Sequence, residues 1–366
     1  MSKLRVGIVF GGRSTEHEVS LVSAKTILEA LDPARYSAVL IGIDHEGRWR
    51  VAEPESDLVP EAVFASAAAV TAAPVLWGGL ELQGDAGRTP LPGGALNVVF
   101  PIVHGRGGED GVLQGVLESA GVPYVGAGVA STALCMDKTL SKRVLRDADL
   151  PVLPSIEVPS RALGRDASAC LDRIEQAFAY PLFVKPSNTG SSVGIRRVSR
   201  RDELRDALQH AARFDHHVLA EPAVDARELE CAVLGGERPE ASLLGEILSP
   251  NEFYDYAAKY VSDETRLVIP APLDPAASER LRALALEAFS ALKCWGMARV
   301  DFFVTREGGE VFVNELNTLP GFTDGSMYPR LWEASGIALP ELVDRLIELA
   351  LERHREAASL ELRFRS

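Results

Sequence analysis

Cysteine is scarce in this sequence, and the four present (Cys135, Cys170, Cys231 and Cys294) lie far apart with no Cys-x-x-Cys pair. That excludes a zinc ribbon and a thioredoxin-type motif, and it fits a reducing compartment. Long hydrophobic runs are missing too. No stretch approaches the ~20 apolar residues that a membrane-spanning helix requires. Val6 to Phe10, the one apolar run near the N-terminus, is too short for a signal-peptide core. Positive charge is in deficit: Lys plus Arg is 38 against 52 for Asp plus Glu, a formal net charge of −14. This balance argues against nucleic acid or an anionic membrane surface as a partner. Low-complexity composition is absent, with 31 glycines and 22 prolines in 366 residues, and no internal repeat occurs. What remains is an ordinary globular composition, 46% hydrophobic, over a length suggesting two or three domains at ~150 residues each. The expectation is a soluble cytoplasmic protein.

The pattern along the chain is α/β. Leu4 to Phe10 reads as a buried strand, Gly11-Gly12 as its turn, Glu16 to Leu31 as a helix and Ala38 to Ile43 as the strand closing a β-α-β unit. Residues 45–94 carry no chemistry and read as an insertion, with one hairpin leading to Trp49 and an Ala-rich stretch, Ala62 to Ala73. Ala95 to Val103 has the continuous apolar character of a parallel-sheet strand, followed by His104 to Gly111 and a helix ended by Gly121. Asp137 reads as the N-cap of a helix to Ala148. Strand, loop and helix then alternate through Tyr180 to Pro186, Ser187 to Gly194, Arg201 to Arg213 and His217 to Glu221. Longer strands follow at Leu229 to Gly235 and Ala241 to Leu248. After them come a helix opened by Asp274-Pro275, a hairpin from Met297 to Leu316 and a helix from Pro340 to Arg353. Breaks near Gly126 and Pro222 divide the chain into 1–126, 127–221 and 222–366.

Five segments carry chemistry. Ser187 to Gly194 follows a strand bearing Lys185. Its glycines and small hydroxyls let backbone N–H groups approach an anion, though the same composition also suits a plain hairpin tip. In the hairpin ARVDFFVTREGGEVFVNELN, a three-residue loop Glu307-Gly308-Gly309 sets Asp301 opposite Glu315 and Arg299 opposite Asn317. All four then share one face, away from Val300, Phe302, Leu316 and Asn314, and a bulge at the glycines would shift this register by one. Two facing carboxylates call for a cation. An all-oxygen donor set suits Mg²⁺ or Mn²⁺, whereas Arg299 alone neutralises only one acid. Leu319 to Thr323, then Ser326-Met327, form a Pro-Gly turn whose free N–H groups can face an oxyanion. Tyr254 to Arg266 is a polar stretch with Lys259 and Tyr260 that reads as a lid. Gly11 to Glu18 occupies the place of a dinucleotide fingerprint but lacks Gly-x-Gly-x-x-Gly. Its Glu16 and Glu18 repel a pyrophosphate and suit an ammonium, unless they merely complement the helix dipole.

Taken together, GGRSTEHEVS, HGRGGEDG, MDKTLSK, FVKPSNTGSSVGI, NEFYDYAAKYVSDET, ARVDFF, VNELNTLPGFT and SMYP, in this order, resemble the D-alanine–D-alanine ligases of the ATP-grasp superfamily. The insertion resembles the longer subgroup. The resemblance implies three α/β domains: an N-terminal open parallel-sheet domain, a central ATP-grasp unit, and a C-terminal ATP-grasp unit with a lid at 250–266. It also implies ATP as a substrate, two Mg²⁺ (or Mn²⁺) ions, D-alanine as the other substrate, and a homodimer. By motif match, Lys138, Lys185 and Ser192 are implied at the ATP phosphates, Glu221 and Val224 at adenine, and Glu228 at ribose. Lys259 is implied at the γ-phosphate, and Asp301, Glu315 and Asn317 at the metals. Glu16 is implied at the first D-alanine ammonium, linked to Ser191 and Tyr260, with His104 at its carboxylate. Ser326 and Met327 are implied at the second carboxylate, and Arg299 and Gly321 at the oxyanion. Ser187-Asn188-Thr189 departs from the Arg-Glu pair of many relatives, which implies local changes in loop contacts. The implied reaction, in peptidoglycan precursor synthesis, passes through an acyl phosphate. The alternatives are another ATP-grasp carboxylate–amine ligase (glutathione synthetase-like, or joining D-alanine to D-lactate) and a non-catalytic nucleotide-binding regulator.

Overall fold

The computed structural model describes residues 3–52, 60–65, 70–75, 79–84, 87–90, 95–248 and 266–361. Lys259, Tyr260 and most of the expected lid lie outside these residues; Arg266 opens a strand. The N-terminal sheet contains β1 (Leu4–Gly11), β2 (Tyr36–Ile43), β3 (Trp49–Ala52), β4 (Val70–Val75), β5 (Gly79–Gly84), β6 (Gly87–Pro90) and β7 (Val98–Pro101), in the order β6-β5-β4-β3-β2-β1-β7. Helices α1 (His17–Ala30), α2 (Pro60–Ala65) and α3 (Val112–Ser119) belong to the same part of the chain. Strand β1 runs parallel to β2 and β7, while β2 through β6 form an antiparallel meander. The insertion therefore prolongs the sheet. Strand β1 is a central strand with both faces covered, and its period of two separates two cores. Val6, Ile8 and Phe10 pack with α1, and Val9 packs on the opposite side with Val39, Val99 and Leu117.

Helices α4 (Val129–Met136) and α5 (Lys138–Asp147) lead into a four-stranded antiparallel sheet, β10-β9-β11-β8, built from β8 (Ile156–Pro159), β9 (Leu182–Pro186), β10 (Arg196–Val198) and β11 (His217–Pro222). Helices α6 (Ser160–Arg165), α7 (Ala167–Ala177) and α8 (Arg201–Ala211) accompany it, and Leu171, Ile174, Leu204 and Leu208 join Leu182, Val184 and Val218 in a separate core.

The last sheet, β14-β13-β12-β15-β16, is antiparallel: β12 (Ala226–Gly235), β13 (Glu240–Leu248), β14 (Arg266–Val268), β15 (Gly296–Thr305) and β16 (Val311–Asn317). Helix α9 (Pro275–Ala291) covers the face carrying Leu229, Cys231, Val300 and Phe302. On the other face each strand changes character along its length. In β12, Glu228 and Glu230 give way to Ala232 and Leu234; in β15, Asp301 and Arg299 give way to Met297. The apolar ends join the N-terminal sheet, α10 (Met327–Ala334) and α11 (Leu339–Ala358) in one core. Arg35 and Tyr36 bond Asp344, and Arg353 lies 4.1 Å over the Tyr124 ring, tying α11 to the N-terminal part.

The β15–β16 hairpin corrects the expected turn. Thr305 pairs with Glu310 across a four-residue loop, and Phe302 pairs with Val313. A bulge at Asn314, not at the glycines, then restores Asp301 to Glu315 and Arg299 to Asn317. The longer loop and the bulge cancel, so the acidic register is as expected. The extra residue, Asn314, now turns towards the cleft instead of away from it.

Candidate active site

A cleft of about 550 Å³ opens between the central and C-terminal sheets, a volume suited to a drug- or nucleotide-sized ligand. Its walls include Lys138, Lys185, Ser192, Glu221, Val224 and Glu228, all singled out from sequence, together with Glu315. Local rules deliver these groups. Asp137 caps α5, accepting from the Thr139 and Leu140 N–H groups, and also accepts from Ser187 Oγ at 2.7 Å. Lys138 N donates to Ser187 O at 2.9 Å, so the cap fastens the start of α5 to the end of β9 and brings Lys138 beside the strand of Lys185. Ser191 and Ser192 hold φ of +46° and +58°, a left-handed conformation that non-glycine residues rarely adopt outside functional loops.

Glu221, fully buried on β11, lies between two ammonium groups: Lys142 reaches Oε1 and Lys185 reaches Oε2, both at 2.6 Å. Burial pushes its carboxyl up, but the charges of Lys185 and Lys142 outweigh this and hold it below the usual carboxylate range. Lys138 donates to Thr189 O at 2.9 Å and pairs with Glu315 Oε2 at 3.0 Å.

Beyond the cleft, Arg299 grips Asp301 with two 2.7 Å hydrogen bonds and has Glu230 Oε2 at 3.1 Å from its Nε. Asn317 Oδ1 accepts from Leu319 N at 2.9 Å, closing a turn at the end of β16. Asp301, Glu315 and Asn317 form an oxygen-only set at one end of two paired strands. This donor chemistry, carboxylate and amide oxygens without His or Cys, fits Mg²⁺ or Mn²⁺. His17, Glu18 and His45 also approach one another, but the imidazoles stack at 3.9 Å with 27° between planes. Their in-plane lone pairs converge only far beyond the ~2.1 Å of a His–metal bond, so this cluster is a ring stack rather than a coordination set.

On the N-terminal side, Ser191 Oγ donates to Glu16, which is buried at the start of α1. His104 is buried after β7, with Nδ1 3.1 Å from Leu319 O, Nε2 3.2 Å from Ser23 Oγ, and Glu109 at 3.9 Å. Burial favours neutral His104, but Glu109, Glu16 and the Leu319 carbonyl together raise its pKa. Gly321 lies so close to Ser326 that a Cβ would meet the Ser326 Oγ at 2.7 Å. Ser326 Oγ accepts from Thr323 N, and the Met327 side chain packs into the shared core against Gly245, leaving its backbone N–H at the start of α10. The structure thus joins Ser191 to Glu16, His104 to the Leu319 carbonyl and Gly321 to Ser326, each across segments far apart in sequence or at the turn after β16.

Sequence reasoning passed over Glu230, Lys142, Glu109 and Asn314. Glu230 was open to alternation, two residues from Glu228 on the same strand face, and Lys142 to helical spacing, four residues from Lys138. Asn314 was hidden by the bulge; its buried Oδ1 has no hydrogen-bond partner among the described residues.

A nucleotide-sized cleft between two antiparallel sheets, walled by two lysines and bordered by paired carboxylates, defines the ATP-grasp class of α/β enzymes. The family pattern described as D-ala D-ala ligase N-terminus matches residues 5–127, and that described as D-ala D-ala ligase C-terminus matches 144–348. The chain belongs to the D-alanine–D-alanine ligase family. It is 50% identical to D-alanine–D-alanine ligase A of Chromobacterium violaceum and 47% identical to that of Escherichia coli K12, over 97% of both chains in each case. Among solved structures, it resembles the D-alanine–D-alanine ligase of Coxiella burnetii (TM-score 0.83, 39% identity, 98% of this chain and 97% of that one). It also resembles a D-Ala:D-Ser ligase of Enterococcus faecalis (TM-score 0.85, 33% identity, 95% and 100%).

Proposed function

We propose that this enzyme joins two D-alanines with ATP hydrolysis, through an acyl phosphate, to supply peptidoglycan synthesis. The observation that carries this reading is the cleft in which Lys138, Lys185 and Ser192 stand beside Glu315. Glu221 and Val224 border the adenine and Glu228 the ribose. Glu16, held by Ser191, takes the ammonium of the first D-alanine, and His104, whose pKa is raised by Glu109 and Glu16 against its burial, stands near its carboxylate. That carboxylate attacks the γ-phosphate, ADP leaves, and an acyl phosphate forms. The neutral amine of the second D-alanine attacks the carbonyl. Arg299 and the Gly321 N–H face the oxyanion, and phosphate departs as the amide closes. A donor of this kind is worth about 10²–10³ in rate. Ser326 and the Met327 N–H receive the second carboxylate. Asp301, Glu315 and Asn317 would hold Mg²⁺, which neutralises phosphate charge when bound. Lys259 and Tyr260, outside the described residues, complete the lid in this reading.

Three units, 1–126, 127–221 and 222–366, are proposed as the working parts. A cytoplasmic location and a homodimer follow from the family resemblance, and size-exclusion chromatography with light scattering reads the latter. Among the described residues no helix is long and apolar enough to cross a membrane.

The test is phosphate release from ATP with D-alanine, L-alanine, D-lactate plus D-alanine, or γ-glutamylcysteine plus glycine. Release with D-alanine alone, yielding the dipeptide, is expected. Release only in the γ-glutamylcysteine arm overturns the reading. Asp301→Asn and Glu315→Gln should each reduce turnover by orders of magnitude; near-normal turnover of both at limiting Mg²⁺ removes the metal assignment.

A further inference from the structure

Two acids lie in direct contact with Arg299, and only one of them belongs to the metal-ligand set. Asp301 holds the guanidinium through both carboxylate oxygens, Nε to Oδ1 and Nη2 to Oδ2 at 2.7 Å. Glu230 comes from the neighbouring strand, with Oε2 3.1 Å from the same Nε. Sheet register brings this contact within reach. Across β12 and β15, Glu230 pairs with Asp301 and Ala232 with Arg299, so all three ionic side chains share one face. Their side chains are 13% (Arg299), 14% (Asp301) and 6% (Glu230) exposed, which makes Glu230 the most buried of the three.

These contacts set up a competition. A fork-to-fork Arg–carboxylate pair engages both oxygens of the acid, and a cation held by Asp301 draws on those same oxygens. An Arg299 anchored by Asp301 alone would lose its counter-charge whenever Asp301 served a cation, and leaving a buried guanidinium unpaired is strongly unfavourable. Glu230 escapes this conflict. It lies on β12, outside the β15–β16 pair that presents Asp301, Glu315 and Asn317, and its 3.1 Å contact is an ion pair with no hydrogen bond of its own, since the one Nε–H goes to Asp301 until that acid is drawn away. Removing its charge would leave Arg299 to Asp301 and the more distant Glu315, both in the metal-ligand set, and so make Asp301 a poorer cation ligand.

We infer that Glu230 is a positioning residue: it is the standing counter-charge of Arg299, holding the guanidinium in place while Asp301 is released to a divalent cation. This rests on the metal and oxyanion roles proposed above for Asp301 and Arg299.

The test is a double-mutant cycle over Glu230→Gln and Arg299→Met, read by Mn²⁺ binding in the presence of saturating ADP, with electron paramagnetic resonance counting free Mn²⁺. Glu230→Gln should weaken Mn²⁺ binding about tenfold and lower kcat by a similar factor, with KM for ATP and D-alanine nearly unchanged. In the Arg299→Met background, where the guanidinium no longer competes for Asp301, adding Glu230→Gln should leave Mn²⁺ binding unchanged. An equal weakening in both backgrounds would mean that Glu230 acts only as a distant negative charge, and would overturn the proposal. A lowered Tm with unchanged Mn²⁺ binding and kcat would reduce Glu230 to a structural acid, with the same consequence. Glu230→Asp, which keeps the charge, should recover most of the Mn²⁺ affinity, and it serves if the Gln variant does not fold. Asp301→Asn separates the two levels. If it binds Mn²⁺ like the wild type, the metal assignment falls. If it loses Mn²⁺ while Glu230→Gln does not, only the present inference falls.

Discussion

At the scale of single residues, buried ionisable groups carry most of the testable content. His104 binds its proton more tightly in the folded chain than an ordinary histidine, because Glu109, Glu16 and the Leu319 carbonyl outweigh its burial. A raised folded pKa gives stability that is fully present below the ordinary histidine value of about 6.5 and lost as pH rises through the raised value. Unfolding free energy from denaturant titrations should therefore fall with pH above about 6.5, and His104→Gln should flatten that decline. An unchanged slope in the variant would assign the decline to other groups. Lys142 is a second case. It is 1% exposed and bonded to Glu221 at 2.6 Å, and Lys142→Met leaves that carboxylate with Lys185 as its remaining ionic partner. Because the carboxylate stays paired with Lys185, the expected cost is about 1.5–3 kcal/mol of stability, the worth of a hydrogen bond to a charged group. ATP should also bind more weakly, because Lys185 is drawn more fully to Glu221; calorimetric titration with ADP reads this directly.

At the scale of elements, the cap of α5 couples folding to ligand binding. Asp137 satisfies two N–H groups of the first turn and a hydroxyl of the loop after β9. Asp137→Ala should lower stability by about 1 kcal/mol, the usual worth of an N-cap. It should raise KM for ATP more than a cap elsewhere would, because Lys138 is the next residue and depends on this junction for its place. The comparison is Asp166→Ala at α7, whose carboxylate caps through Ala169 N far from the cleft. Equal KM values in the two variants would show that the Asp137 cap serves the helix alone. The β15–β16 hairpin shows how an element can be legible for the wrong reason. Alternation and the Gly-Gly loop led to the Asp301–Glu315 pair, yet the pair exists because a longer loop and a bulge at Asn314 offset each other.

For the whole molecule, the packing divides the chain unevenly. Val6, Phe10, Phe100, Phe322, Tyr328 and Leu346 join the N-terminal and C-terminal parts in one core, while Leu171, Leu204 and Leu208 close a separate core under the central sheet. Phe322 sits at the join, with ring centroids 5.8 Å from Phe100 and 5.7 Å from Tyr328. Leu208→Ala should cost about 2–5 kcal/mol, felt mainly by the central sheet. Amide hydrogen exchange read by mass spectrometry should quicken over 156–222 and leave 4–11 and 339–358 protected. Phe322→Ala should quicken those two segments together. If Leu208→Ala loosens all three regions equally, the central sheet is not an independent cooperative unit.

The sequence by itself determined the order of most elements outside residues 45–94, the burial of β1 and the Asp137 cap. These depend on periodicity, capping and turn chemistry, which act over a few residues and leave their mark in composition. The landmarks in order were also enough to indicate the family that the comparisons bear out. Tertiary structure alone decided the rest. Burial of Glu221 between two lysines and Glu230 against Arg299 join residues through sheet order or domain packing, and no spacing along the chain encodes those distances; the contact of Ser191 with Glu16 was legible only through the family resemblance. The insertion was unreadable because its short strands owe their existence to the open edge of β2, a partner outside their own sequence.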